Sequence, residues 1–242
     1  WQTAFSLMFL SRGSSPVWVS KMAVPGLRWN ARPDDMHQLT SYLSDVAERE
    51  LNWQVVSADR APEHWVNTPV LYLSSPDAVE LNEAQQQHLK RYLELGGILL
   101  ANPAGGSDRF SASIRRLAMK LFPRFRIRPL DATHPIFTSL HRLEPGSIGP
   151  VYGVSNGVRE LLILVDHDWS ANTRSGLRRT GVGPWPLATN LFIYVTDRGR
   201  IPGRLASSYE HRTRRPKTGE PILIPQRRCR AGEEVPRRVD EL

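Results

Sequence analysis

The stretch Leu81–Gly106, LNEAQQQHLKRYLELGGILLANPAGG, decides the fold. It runs from a helix start through a glycine stop to a short apolar strand and a glycine-rich turn. Asn82 supplies a side-chain cap, and Gln85 three residues on completes a capping box. Leu89, Tyr92 and Leu93 share one helical face, the spacing of a half-buried helix. Gly96-Gly97 end the helix, because glycine enters the left-handed conformation cheaply. Ile98-Leu99-Leu100-Ala101 is an uninterrupted apolar run, as expected of a strand covered on both faces. Ligands of open α/β sheets collect beyond the carboxyl ends of such strands. Asn102, Gly105, Gly106, Ser107 and Asp108 are therefore the first ligand-binding candidates.

Working outward, Phe5–Leu10 (FSLMFL) reads as a first core strand, being too short to span a bilayer. Ser11–Pro33, rich in Gly, Pro and Ser, reads as a long loop carrying Trp18 and Trp29. A helix capped by Asp34 or Asp35 extends to about Leu51, with Met36, Leu39, Leu43, Val46 and Ala47 as its inner stripe. Trp53–Val56 and Pro69–Ser74 are strands, and Ala61–Asn67 connects them with a short helical turn. Asp108–Phe122 is a helix with Phe110, Ile114, Leu117 and Leu121 inside and Arg115, Arg116 and Lys120 outside. Phe125–Ile127 is a short strand, and Asp131–Phe137 a turn leading into a short helix. Val151–Ser155 and Leu161–Val165 are strands joined by Asn156-Gly157, a strong hairpin signal. Asp166–Pro186 is a second loop, and Leu187–Thr196 a last helix. Strands alternating with helices predict a three-layer α/β/α fold, flavodoxin-like, with a mainly parallel sheet and a late antiparallel edge.

A chain of 242 residues supports one substantial core plus extensions. The single cysteine, Cys229, excludes an internal disulfide framework and a CxxC metal site. The net charge of +8 is unevenly spread. Residues 199–242 hold eleven Lys and Arg against six acids, or +5 of the total. The expected division is an α/β domain over residues 1–198 and a basic, irregular tail over 199–242. The chain begins at Trp1, as a processed or excised piece would, and its compartment is left open between cytoplasmic and exported. No transmembrane segment is expected.

Several segments together resemble the bacterial domain-of-unknown-function family 4159. They are Trp29 before a helix, Pro69-Val-Leu-Tyr-Leu, Leu89 through Leu100, Phe110 with Arg115, Phe122-Pro123, His134-Pro135-Ile136-Phe137, Asp168-Trp169 and Asn190. The likeness covers about Phe5 to Arg198. It implies a fold like that of class I glutamine amidotransferases and trehalose-utilisation (ThuA-like) proteins, and it implies no settled activity. Family members commonly carry acidic residues directly after the strand equivalent to Ile98–Ala101. Here Asn102-Pro103-Ala104 stands in that place.

Amidotransferase chemistry needs a thiolate on a strand-to-helix turn. Cys229 lies in the arginine-rich tail, so the chain is not expected to be a glutamine amidotransferase. Ser107 follows Gly105-Gly106 and reads as a helix cap more readily than as a nucleophile. The same turn could hold an anion at a helix start, although the Lys-Ser/Thr of a P-loop is missing. Asp166-His167-Asp168 is the densest set of possible metal ligands. In extended backbone Asp166 and Asp168 share a face, making them the metal candidates. His134, Asp168 and Asp131 are the catalytic candidates, expected at one sheet edge, with Trp29 and Trp169 as further ligand-binding candidates. His134 precedes proline, and its ring could equally cap the following turn.

Three functions follow. The first is a binding or interaction domain with an unidentified protein or small-molecule partner. The second is a hydrolase of a small polar or carbohydrate-like substrate using Asp168, His134 and Asp131. The third is association with nucleic acid or another anionic surface through the tail, which is not favoured because no aromatic residue interleaves its arginines after Tyr209. No cofactor is expected.

Overall fold

The computed structural model describes residues 15–65, 67–144, 148–174 and 184–196. The segment Phe5–Leu10, the residues after Thr196 and Cys229 lie outside the described residues. Seven strands form one sheet: β1 Val17–Ala23, β2 Asn52–Ser57, β3 Val70–Ser75, β4 Ile98–Pro103, β5 Ile127–Pro129, β6 Val151–Ser155 and β7 Glu160–Val165. The helices are α1 Asp35–Val46, α2 Glu83–Glu94, α3 Asp108–Leu121, α4 Pro135–Thr138 and α5 Pro184–Val195. Strand order is β2-β1-β3-β4-β7-β6-β5, with β6 antiparallel to both its neighbours and the other contacts parallel.

The two sheet faces carry separate cores. Leu71, Leu73, Leu99 and Ala101 pack with Leu89, Tyr92 and Leu93 of α2 and Phe110, Ile114 and Leu117 of α3. Val70, Tyr72, Leu100 and Ile163 pack with Met36, Leu39 and Leu43 of α1, Phe137 of α4 and Leu187 and Leu191 of α5. Helices on both faces make this a three-layer α/β/α architecture. Alternate residues of β3 and β4 thus enter opposite cores, which is why both strands read as continuous apolar runs.

The capping box is formed as expected: Asn82 accepts from the Gln85 N–H at 2.9 Å, and Gln85 accepts from the Asn82 N–H at 2.9 Å. Gly97 has a second reason to be glycine, because a Cβ there would lie 2.1 Å from Cζ of the buried Tyr92 ring. Ser107 caps α3, accepting from Phe110 N–H at 3.3 Å.

The expected long loop Ser11–Pro33 is corrected. Its middle is β1, a strand paired on both sides and almost wholly buried. Ser20 and Lys21 break its apolar run, and both are buried because partners distant in sequence satisfy them. Ser20 donates to Thr68 at 2.8 Å, and Lys21 pairs with Asp35 at 2.7 Å. Smaller corrections concern boundaries. Helix α1 stops at Val46 rather than Leu51. Strand β5 spans Ile127–Pro129 rather than Phe125–Ile127. Helix α5 begins at Pro184, inside the expected second loop, and that loop opens with a 3-10 segment, Trp169–Arg174.

Candidate functional site at the carboxyl edge of the sheet

The chain winds outward from β1 in both directions, to β2 on one side and β3 on the other. The carboxyl ends of β1 and β3 therefore flank a topological switch point, where open α/β sheets hold ligands. Register places Lys21 of β1 beside Tyr72 of β3, and Ser74 of β3 beside Asn102 of β4. These four polar residues lie on the α1/α5 face and are all buried.

A closed circuit of polar contacts surrounds this point. The Lys21 ammonium donates to Asp35 Oδ1 and to the Arg32 carbonyl, both at 2.7 Å. The Arg32 guanidinium pairs with Asp168. Asp168 also accepts from the Gly105 N–H at 2.7 Å, Ser170 Oγ at 3.1 Å and the Ala171 N–H at 3.1 Å. Ser170, Ser74, Trp169 and Asp35 surround the Tyr72 hydroxyl. Asp35 closes the circuit to Lys21. Beside it, Asn102 donates to the carbonyls of Val165 at 3.2 Å and His167 at 2.5 Å, fastening the exit of β4 to that of β7.

Burial dominates the electrostatics. It pulls the Lys21 ammonium below its ordinary range and pushes the Asp35 carboxyl above its own, while each charge holds the other. Burial also raises the Tyr72 phenol, reinforced by the Asp35 carboxylate, so the hydroxyl stays protonated. His167 is lowered by burial, against the opposing pull of Asp168 and Asp166.

Three buried side-chain atoms at this edge, Arg32 Nε, Asn102 Oδ1 and His167 Nδ1, complete no hydrogen bond, whereas Asp35 Oδ2, Tyr72 Oη, Ser74 Oγ and Trp169 Nε1 face one another around the Tyr72 hydroxyl. Buried polar groups are ordinarily paired, and leaving one unpaired costs about 1–3 kcal/mol. These three atoms lie at the carboxyl edge of the sheet, beside the polar group around Tyr72.

Of the residues expected from sequence, Asn102, Gly105, Asp168 and Trp169 belong to this edge. Gly106 is exposed, Ser107 is occupied as a cap, and Asp108 is exposed in the first turn of α3. Trp29 is half-buried in the loop after β1. Asp166 pairs with Arg115, whose guanidinium lies 4.7 Å from the Tyr152 ring centroid. Asp166 and Asp168 are therefore each drawn to a different arginine. No group of three or more His, Cys, Asp or Glu among the described residues is placed to hold a metal.

The expected meeting of His134, Asp131 and Asp168 at one edge does not occur. His134 accepts from the Ile136 N–H at 3.2 Å, capping α4, and its Nε2 lies 3.6 Å from Glu160. Glu160 opens β7 and Asp168 lies beyond its end, so on the order of 16 Å of strand separates them. Asp131 is exposed and accepts from the Thr133 N–H at 2.8 Å. Sequence reasoning missed Lys21, Arg32, Asp35, Tyr72 and Ser74. One signal was available: a lysine inside VWVSKMA must find a carboxylate if that segment is a buried strand.

The fold and this edge define a doubly wound α/β protein with a buried polar cluster at its switch point. A family model described as Domain of unknown function (DUF4159) matches residues 19–182, and the chain belongs to that family. No curated protein matches it.

Proposed function

We propose that the chain is a binding domain for a small polar ligand seated at the carboxyl edge of the sheet. Tyr72, Ser74, Asn102, Arg32, Asp168 and Trp169 are its contact residues. The carrying observation is a buried polar cluster at a switch point in which Arg32 Nε, Asn102 Oδ1 and His167 Nδ1 complete no hydrogen bond. Donors and acceptors are both present among them, so the ligand offers both in return. The amidotransferase-like scaffold rests on resemblance alone, and this reading requires none of that chemistry.

Binding is favoured over hydrolysis by the expected His134–Asp168 pair, because β7 separates the two. Asp168 is already engaged by Arg32 and the Gly105 N–H. The test is a thermal-shift screen of small polar compounds against the wild type and two variants, Tyr72→Phe and Asn102→Ala. A true ligand raises the melting temperature of the wild type by mass action, and at a hundredfold excess over Kd the gain is about 2.7 kcal/mol. The shift should shrink in both variants. Compounds that stabilise all three proteins equally, or an absence of any hit, would count against the site.

A further inference from the structure

The near-neutral body conceals a strong local field. Residues 1–198 contain 21 Lys and Arg against 18 Asp and Glu. Between Asp108 and Asp131 there are seven bases and no acid, so the rest of the body has fourteen bases against eighteen acids. The seven are Arg109, Arg115, Arg116, Lys120, Arg124, Arg126 and Arg128, on α3 and the turn and strand that follow it. Arg115 and Arg128 are engaged by Asp166 and Glu160. The other five are exposed and form no ion pair among the described residues.

Helical spacing aligns them. At about 100° per residue, Arg109, Arg116 and Lys120 fall within about 40° of one line, which extends about 17 Å along α3. Phe110, Ile114 and Leu117 occupy the buried arc. Met119 points almost directly away from that arc and is 55% exposed. Beyond the helix, Phe125 packs against the core and the Phe122 ring, and exposed Arg124 and Arg126 flank it in sequence. Met119 is thus the exposed apolar side chain beside this line of cations, about 60–100° round the helix from it.

We propose that this face of α3 and its following turn docks on an anionic phospholipid surface. Clusters of Lys and Arg on a surface helix are attracted to acidic headgroups, each charge near the surface raising affinity about fivefold. Long basic side chains keep their charges at headgroup level while apolar neighbours enter the interface. Exposed Met119 favours a bilayer over a nucleic-acid backbone, since phosphates gain nothing from an apolar side chain among the cations. The site at the sheet's carboxyl edge plays no part in this docking.

The test is co-sedimentation of the full chain with vesicles of phosphatidylcholine alone or with 30 mol% phosphatidylglycerol, at low and high salt (about 0.05 and 0.5 M). The wild type should bind only the acidic vesicles and leave them at high salt. The triple variant Arg116→Gln/Lys120→Gln/Arg124→Gln should partition about a hundredfold more weakly. Met119→Ser should weaken binding severalfold while preserving its salt dependence. A control replacing Arg212, Arg214 and Arg215 by glutamine should retain most of the affinity, which separates this face from the basic tail. The proposal is overturned if the first triple variant binds like the wild type, if neutral vesicles bind equally, or if a short DNA duplex binds more tightly than acidic vesicles and displaces them. Because the substituted groups are exposed, unchanged melting of each variant confirms that folding is not the cause.

Discussion

Replacing Lys21 by methionine should destabilise the protein sharply, while replacing Lys21 and Asp35 together should not. Both side chains are 1% exposed and meet at 2.7 Å. Methionine fills most of the lysine's volume but leaves the Asp35 carboxylate in the core with only neutral partners, the Met36 N–H at 2.7 Å and the Tyr72 hydroxyl. It also strips the Arg32 carbonyl of the ammonium. Removing one member of a buried ion pair costs about 3–5 kcal/mol, because the survivor is an uncompensated charge. Asp35→Leu alone should cost a similar amount by stranding the ammonium. The double variant Lys21→Met/Asp35→Leu replaces a desolvated pair with apolar contacts, and its stability should lie within about 1–2 kcal/mol of the wild type, on either side. Urea denaturation of the four proteins completes the cycle, provided the m-values agree. A coupling energy below about 1 kcal/mol, with both single variants mild, would refute the claim that the two charges are buried against each other.

Two other outcomes are expected. Burial lowers the folded-state pKa of His167, so the unfolded chain binds the proton more readily between that lowered value and 6.5. Stability should therefore rise with pH through that window and be lost as pH falls back through it, levelling off below the folded-state value, and His167→Gln should flatten this part of a pH–denaturation profile. A profile unchanged by the substitution would show that His167 does not contribute. Gly97→Ala should cost about 1–3 kcal/mol or more by overpacking. The added methyl group would overlap the Tyr92 ring, which is held in place by a 2.8 Å hydrogen bond from its hydroxyl to the Thr68 carbonyl. A melting temperature within a degree of the wild type would show that the ring moves freely.

Where structure follows from neighbours in sequence, it was legible. Asn82 and Gln85 are three residues apart, Leu89, Tyr92 and Leu93 repeat at helical period, and Asn156-Gly157 sits between two strand patterns. Each carries its own signal. β1 was hidden for the opposite reason. Ser20 and Lys21 look like loop residues until Thr68 and Asp35 are brought to them, and only the fold does that. The same division runs through the site. The exit of β4 could be named from the rule for parallel sheets, and Asn102, Gly105 and Asp168 do lie there. Tyr72 and Ser74 looked like ordinary strand residues, because nothing local distinguishes a polar group facing a switch point from one that is simply tolerated. His134 lies away from that edge because it meets Glu160 at the start of β7, whereas Asp168 follows the end of the same strand.

The position of β7 also bears on how the protein folds. β4 pairs with β7, not with β5 or β6, so Leu100 must find Ile163 across more than sixty intervening residues. The earlier pairing of Leu71 with Leu99 closes fewer than half as many. Each doubling of a closed loop adds only about 0.6 kcal/mol of entropy, so the penalty is small at equilibrium but falls before any contact rewards it. β1 to β4 can assemble first, and until β7 arrives Ile98–Pro103 stands as an apolar edge open to a second chain. Asn102, already beside Ser74 in the β3–β4 pair, gains its bonds to the Val165 and His167 carbonyls only with that docking. A chain stalled before β7 docks would therefore lack the Asn102 and Asp168 part of the polar edge while exposing an apolar strand edge to other chains.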